Sequence, residues 1–385
     1  MLSKSRLYLS TILFSGMLLS NISGAKAIET KAKNLILIDY ETGQQLYAKD
    51  ADKMIPPASM SKLMTIYMVF EKIKDGSLSL DDTFTVSENA WRKGGAASGS
   101  STMFLTIGEK VRVEDLIKGM IIQSGNDACI VVAENISGSE EDFAKDMTKK
   151  AKALGLNNSI FANATGWPDP DQRMSVEDLA KLARILISEF PEYYHIFSEK
   201  SFVHHNIKQG NRNPLLYSMP YADGLKTGHT EEAGFGLVGS AKKDDRRLIS
   251  VMAGLKSNKE RSEEAEKIIN WGFREFDNYT LLKNGQFIAE IPVWFGQEDT
   301  VDLLVSENVV RTLPKNQANK VKMTAIYDKP VQAPIKKGDK LGVVKIEIPG
   351  QPETEVPLVA NKNIGKLGFF GKIAENFHYI LFGKN

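Results

Sequence analysis

Near Asp277 the hydrophobic pattern of this 385-residue chain changes period, and that change limits what it can fold into. Upstream, apolar residues recur at helical spacing over Lys62 to Lys74, Val113 to Ile122, Asp127 to Ile136, Glu140 to Leu154, Val176 to Glu189 and Arg261 to Arg274. Strand-like runs lie before and after these helices. Leu35 to Asp39 and Gln44 to Ala48 flank a Glu41-Thr42-Gly43 turn, and Gly224 to Thr227, Phe235 to Ala241 and Leu248 to Ala253 come later. Helices bounded by strands at both ends predict an α+β domain, an antiparallel sheet with helices packed on it. Downstream the pattern alternates, most clearly at Val344-Lys345-Ile346-Glu347-Ile348, with turns at Asn284-Gly285, Lys337-Gly338 and Pro349-Gly350. This reads as a small all-β domain, and the length is too great for one comfortable core.

The two ends read differently from the middle. Lys4 and Arg6 precede an apolar run from Leu7 to Leu19, and Ala25-Lys26-Ala27 offers small residues around a cut, so residues 1–27 are expected to be a cleavable signal peptide. Their three basic residues and lack of acids mean that cleavage takes the formal net charge from +1 to −2, which gives no case for nucleic acid. At the other end Ile364, Leu367, Phe370, Ile373, Phe377 and Ile380 recur every three or four residues, with Lys362, Lys366, Lys372 and Lys384 largely elsewhere. The expectation is a basic amphipathic helix over residues 361–385 that lies on a membrane surface, with a helix docked on its own protein as the alternative; lysines and glycines interrupt it too often for a span. Gly365, Gly368 and Gly371 weaken it in isolation, so it would form on contact with that surface. The predicted layout is a signal peptide (1–27), the α+β domain (28–276), an all-β domain (277–360) and the terminal helix (361–385).

Three short patterns occur in order: Ser59-Met60-Ser61-Lys62, Ser124-Gly125-Asn126 and Lys226-Thr227-Gly228-His229. Each is cheap alone, because Ser-x-x-Lys recurs at Ser23/Lys26 and Ser240/Lys243, and Ser-x-Asn at Ser87/Asn89 and Ser306/Asn308. Only the Ser59 copy opens a helical pattern, after what reads as an extended Pro56-Pro57-Ala58 lead-in. Lys62, three residues on, falls on the same helical face and its amine can reach the Ser59 hydroxyl. The helix N-terminus and desolvation in a cleft both disfavour the ammonium, so a neutral Lys62 can serve as general base for a hydroxyl that is otherwise a poor nucleophile.

This triple pattern is the signature of β-lactamases and penicillin-binding proteins. The chain resembles the low-molecular-mass penicillin-binding proteins of the D-alanyl-D-alanine carboxypeptidase family. The resemblance runs through Pro57 to Thr65, Ile121 to Ala128, Gly210-Asn211-Arg212-Asn213, Asp223 to Thr230 and Trp271-Gly272-Phe273, and covers nearly the whole chain after the signal peptide. It implies a penicillin-binding/β-lactamase-like catalytic domain acting on peptidoglycan stem peptides that end in D-Ala-D-Ala, with β-lactam antibiotics as inhibitors. Ser59 would attack the penultimate D-Ala carbonyl, with backbone N–H groups of Ser59 and His229 as oxyanion hole. Ser124 would relay a proton to the leaving amine and Asn126 would bond the substrate amide. Lys226 and Thr227 would hold the free carboxylate, Gly228 would permit close approach, and Arg212 would reinforce the carboxylate site. The resemblance also implies an exported protein, peripheral on the periplasmic side of the inner membrane.

Other readings remain. The Glu-x-x-Leu-Asn loop of class A β-lactamases is missing, and Ala164-Thr165-Gly166-Trp167-Pro168-Asp169 stands there, so rapid penicillin hydrolysis is not expected. An endopeptidase would keep the same triplets, but such relatives generally resemble only the first domain. A non-catalytic wall-binding scaffold would need no nucleophile beside a base. Gly94 to Ser101 reads as a loop, equally a plain connection or a flap over the site. Cys129, the one cysteine, sits in an apolar run and reads as a buried structural thiol. No cofactor or metal is expected: there is no His-Glu-x-x-His and no cysteine cluster, and His204 and His205 would point to opposite faces of a strand.

Overall fold

A computed structural model describes residues 28–368. The first domain is built on a five-stranded antiparallel sheet of β1 (Asn34–Asp39), β2 (Gln45–Lys49) and three late strands. Between β2 and those late strands come α1 (Lys62–Lys74), β3 (Thr83–Thr85), α2 (Glu88–Gly94), β4 (Lys110–Arg112), α3 (Val113–Lys118) and α4 (Asn126–Ser137). The chain continues through α5 (Glu140–Ala153), α6 (Val176–Glu189), the short α7 (Pro191–Tyr194), the hairpin β5 (Ser201–His204) and β6 (Ile207–Gly210), and the short α8 (Leu215–Ser218). Strands β7 (Ala222–Thr230), β8 (Gly234–Lys243) and β9 (Arg246–Leu255) complete the sheet in the order β2-β1-β9-β8-β7, and α9 (Asn258–Glu275) packs back on it.

Both faces of this sheet are covered, which explains why β1 is buried along its whole length. Alternate residues serve different cores: Ile36 and Ile38 join the large helical core with Leu63, Val69 and Phe70 of α1, whereas Leu35 and Leu37 pack with Ile268, Ile269 and Trp271 of α9. Helix α1 is buried continuously from Lys62 to Phe70, as befits a helix apolar around most of its circumference. Its position inside the domain is what removes Lys62 from water. Ser139, Ser175 and Ser257 cap α5, α6 and α9 by accepting from the N–H three residues on.

The second domain begins as α9 ends, with β10 (Phe276–Leu282), β11 (Phe287–Trp294), β12 (Thr300–Val305) and β13 (Val309–Pro314). It continues through β14 (Lys322–Tyr327), β15 (Val331–Gln332), β16 (Lys340–Glu347) and β17 (Thr354–Ala360). Strands β14-β16-β17-β12-β11-β15 form one sheet, and β10 pairs with β13. The alternation read in the sequence has its expected consequence, since Val344 and Ile346 are buried in the β-core while Lys345 ion-pairs with Glu353 at the surface. Asp39, fully buried, ties the domains together: it accepts from Thr42 and Arg246 of the first and from Asn278 of the second.

The terminal helix does not begin where the apolar spacing placed it. Ile364 is a buried member of the β-core, bridged to Ile335, and Lys366 is bridged to Gly296, so residues 364–366 are extended and belong to the β-domain. A period of three to four and an irregular strand both put Ile364 on an apolar face, and pairing with Ile335 decides for the strand. The rest of the expected helix, from residue 369, and the expected signal peptide lie outside the described residues.

Candidate active site

Ser59 lies in a single 3-10 turn, Ala58–Ser61, and α1 begins only at Lys62. The lead-in is not extended as the prolines suggested: Pro57 is helical in its backbone and Ala58 takes a left-handed φ of 47°. That sharp turn lifts the serine toward the cleft, and a non-glycine residue held there costs on the order of 1–3 kcal/mol unless its surroundings enforce it. The surroundings do enforce it. Ala58 O accepts from the Ser61 hydroxyl at 3.0 Å, and Gly166 packs so closely that a Cβ on it would lie 2.1 Å from Ala58 O.

Lys62 has the reach its spacing implied. Its Nζ donates to Ser59 Oγ at 2.9 Å, to Asn126 Oδ1 at 2.7 Å and to the Thr165 carbonyl. No part of the side chain is solvent-exposed, and burial, helped by the nearby Arg212, lowers its pKa to about 8. About a tenth of the amine is therefore neutral at pH 7.

Ser124 and Asn126 arrive by an unusual route. The predicted helix from Val113 ends as an α-helix at Lys118, passes into a π turn over Gly119–Gln123, and terminates at Ser124 with φ 63°. π turns recur at functional sites because the extra residue re-aims the side chains beyond it. Ser124 Oγ is buried with no hydrogen-bond partner among the described residues, and it lines the same cleft as Ser59. Asn126 opens α4, with its N–H bonded to Ser101 O at 2.7 Å. Its carbonyl oxygen is committed to Lys62, so the residue braces the base in addition to facing the cleft.

Lys226, Thr227, Gly228 and His229 lie on β7, the edge of the sheet, whose free side faces the Ser59 turn. A Cβ on Gly228 would come within 3.0 Å of Pro57 O and 3.2 Å of Ala58 Cβ, so glycine keeps the strand close to the nucleophile. Lys226 is buried, and burial, together with Lys62 and Arg212, holds its amine well below the usual lysine range. Thr227 lines the cleft wall. The His229 ring is exposed and stacks on Phe235 with centroids 3.9 Å apart, and among the described residues it makes no side-chain hydrogen bond or ion pair. Arg212 donates to Ser101 Oγ at 2.6 Å and also lines the cleft, whose volume is about 730 Å³. All nine residues singled out by the sequence are thus gathered around one site.

Four contributors were not legible as such. Arg261, at the start of α9, reaches the cleft from behind β7, 3.5 Å from Gly228 O and 3.3 Å from Gly236 O, and burial lowers its pKa to about 10. Its place in a helical repeat masked it. Asn163 folds the loop before Trp167 by accepting from the N–H groups of Thr165, Gly166 and Trp167, which aims the Thr165 carbonyl at Lys62. Asp127 accepts from Thr102 Oγ1 at 2.6 Å and from the N–H groups of Met103 and Leu105, fixing the segment that delivers Ser101. The stretch read as loop or flap is therefore partly wall: its end, Ser101, lines the cleft.

Cys129 is buried and its thiol is pushed up to about 12 by that burial, an inert packing residue as expected. The reading of His204 and His205 is corrected. His205 is not in a strand but in the two-residue turn after β5, where it and Asn206 have φ of 47° and 61°. Such turns need positive φ at both central residues, and that twist brings the two rings to the same side, 4.1 Å apart.

Residues 21–257 match the family described as D-alanyl-D-alanine carboxypeptidase, and residues 276–366 match the penicillin-binding protein 5 C-terminal domain. The D-alanyl-D-alanine carboxypeptidase DacC of Escherichia coli (strain K12) is 41% identical over 351 residues, covering 90% of this chain and 88% of that protein. A crystal structure of penicillin binding protein 5 from Haemophilus influenzae superposes with TM-score 0.78 at 37% identity, over 89% of this chain and all (100%) of that one. Penicillin-binding protein D2 from Listeria monocytogenes in its ampicillin-bound form matches with TM-score 0.56 at 30% identity, over 64% of this chain and 99% of that one.

Proposed function

The chain belongs to the D-alanyl-D-alanine carboxypeptidase family, a serine-type hydrolase that trims the terminal D-alanine from peptidoglycan stem peptides and binds β-lactams, and from that premise we propose how its residues divide the work. The observation that carries the assignment is the fully buried Lys62 amine on the Ser59 hydroxyl at 2.9 Å, with the serine facing the cleft. Neutral Lys62 takes the Ser59 proton as Oγ attacks the penultimate D-Ala carbonyl. The tetrahedral oxyanion is held by backbone N–H groups of Ser59 and His229, which explains why the His229 ring needs no acid-base partner. As the intermediate collapses the C–N bond breaks, and the departing D-alanine amine takes a proton through Ser124, whose hydroxyl is otherwise unpaired among the described residues. Water then hydrolyses the Ser59 ester, with Lys62 again as base.

The carboxylate of the terminal D-alanine lands among Lys226, Thr227, Arg212 and Arg261. Burial, reinforced by the nearby Lys62 and Arg212, holds the Lys226 amine well below the usual lysine range; an arriving carboxylate favours the ammonium, so charge and ligand come together. The same anion requirement fits the carboxylate of a penicillin. Asn126 holds Lys62 with its oxygen and is left to meet the substrate amide with its NH₂.

Export and attachment belong to the same proposal. Residues 1–27 direct export and are removed, and the segment past Lys366 lays its aromatic and lysine-rich pattern on the periplasmic face of the inner membrane. Among the described residues no helix is long and apolar enough to cross a membrane. Fractionation of cells expressing the full chain should find it in the membrane fraction with Ile28 at its N-terminus, and deletion of residues 369–385 should release it.

Enzyme-coupled detection of D-alanine from a peptide ending in D-Ala-D-Ala tests the activity. Release by the intact chain, lost in Ser59→Ala, is the expected result; release that persists in Ser59→Ala contradicts the division of roles.

A further inference from the structure

Outside the cleft, Glu109, His204 and His205 turn one carboxylate oxygen and two imidazole nitrogens toward a common point, all within 4.8 Å of one another. Glu109 Oε2 is occupied by the Thr106 N–H at 2.9 Å, which fixes the carboxylate and leaves Oε1 pointing at the histidines. That oxygen lies 2.7 Å from His205 Nε2 and 3.3 Å from His204 Nε2. His204 Nε2 is buried and makes no hydrogen bond with proper geometry among the described residues, so a desolvated lone pair or N–H stands unused. The rings lie close and tilted to each other, 4.1 Å between centroids and 32° between planes. At 3.3 Å and without hydrogen-bond geometry, the Glu109 oxygen leaves His204 Nε2 unsatisfied.

We propose that Glu109, His204 and His205 bind a divalent transition cation of the zinc class, with solvent in the remaining position. Ligand atoms around a tetrahedral zinc, each about 2.0–2.1 Å from the metal, are spaced about 3.3 Å apart. The His204 separation from Glu109 already has that value, the His205 pair needs to open by roughly 0.6 Å, and the two imidazole nitrogens lie within 4.8 Å of each other, adjustments open to a His205 side chain that is 41% exposed. Two imidazoles and a carboxylate select zinc, nickel or copper over calcium and magnesium, which favour oxygen ligands.

The site is structural in its placement. It pins the β5–β6 hairpin to the turn that leads into β4. The hairpin runs on directly to Asn211 and Arg212, and Gln209 within it donates to Met103 O at 3.3 Å. Both attached segments lead to the cleft wall where Arg212 meets Ser101. A bound cation would therefore hold that wall without touching the reacting atoms.

Zinc sulfate titrated into the purified, chelator-treated full chain, in competition with a chromophoric zinc indicator, tests this. The expected result is one saturable equivalent, with affinity lowered at least about 100-fold in His205→Asn and in Glu109→Gln, since even outer partners of a metal site are worth about 10–100-fold. Zinc should raise the melting temperature of the intact chain but not of either variant, and acylation by benzylpenicillin should survive chelation. Circular dichroism of the metal-free proteins establishes that each is folded, and Glu109→Gln carries the test where the hairpin variant fails to fold. Absence of saturable binding, or binding unchanged in both variants, overturns the proposal.

Discussion

Lys62 reaches Ser59 from within the protein, its amine 2.9 Å from the hydroxyl and fully removed from solvent. The contact joins the two residues that a Ser-x-x-Lys spacing could only place on one helical face. What the spacing could not reveal is that the lysine is the innermost residue of the site and the serine the more open one.

Burial lowers the Lys62 pKa to about 8, so the reactive neutral form increases as pH rises to that value. The acylation rate with benzylpenicillin should climb about tenfold per pH unit below pH 8 and level off above it. Lys62→Arg, which keeps a cation that cannot deprotonate, should lose acylation by at least about 100-fold at every pH. Stopped-flow or quenched mass spectrometry across about pH 6–10 reads both.

Gly166 has φ 80°, and a Cβ on it would lie 2.1 Å from Ala58 O. Gly166→Ala should push the loop off the nucleophile turn and pull Thr165 O away from Lys62. Acylation should fall by about 100-fold or more, with destabilisation of about 1–3 kcal/mol on urea unfolding.

Arg212→Ala should raise KM for peptides ending in D-Ala-D-Ala by about 10–100-fold, the range of one charge-assisted hydrogen bond of about 1.5–3 kcal/mol. Its kcat should change less, because the role proposed for the guanidinium is to hold the carboxylate and not the scissile bond. Amidating the terminal carboxylate should abolish the difference between the variant and the intact chain.

Asp39 is buried at the domain junction with Arg246 Nε at 2.9 Å. Asp39→Ala leaves that guanidinium without its anion and should cost about 3–5 kcal/mol in equilibrium unfolding. Asp39→Asn, which still meets Asn278 and Thr42, should cost less.

Much of this was legible because local pattern and tertiary demand agree. The apolar spacing of Lys62 to Lys74 and Glu140 to Leu154, and the alternation at Val344 to Ile348, mark elements whose buried faces match the cores that form. The false copies of the motifs have ordinary structural uses: Ser87 caps α2 and shares Glu134 with Asn89, and Ser240 lies in the sheet against Arg247. What stayed hidden depends on backbone twist or on distant segments. The left-handed Ala58, the π turn before Ser124 and the turn at His205 each redirect a side chain by one residue's conformation, which periodicity does not register. Arg261 enters the site only because α9 folds back across β8, and Ile364 left the expected helix because Ile335 was there to pair with it.

The assignment of Ser59 as the acylated nucleophile underlies every other role proposed for the cleft. Intact-mass measurement of the purified chain mixed with benzylpenicillin, beside Ser59→Ala, tests it most directly. The expected result is a single persistent adduct of one drug mass on the intact chain and none on the variant. An adduct that survives Ser59→Ala, or no adduct on a folded intact chain, would contradict it.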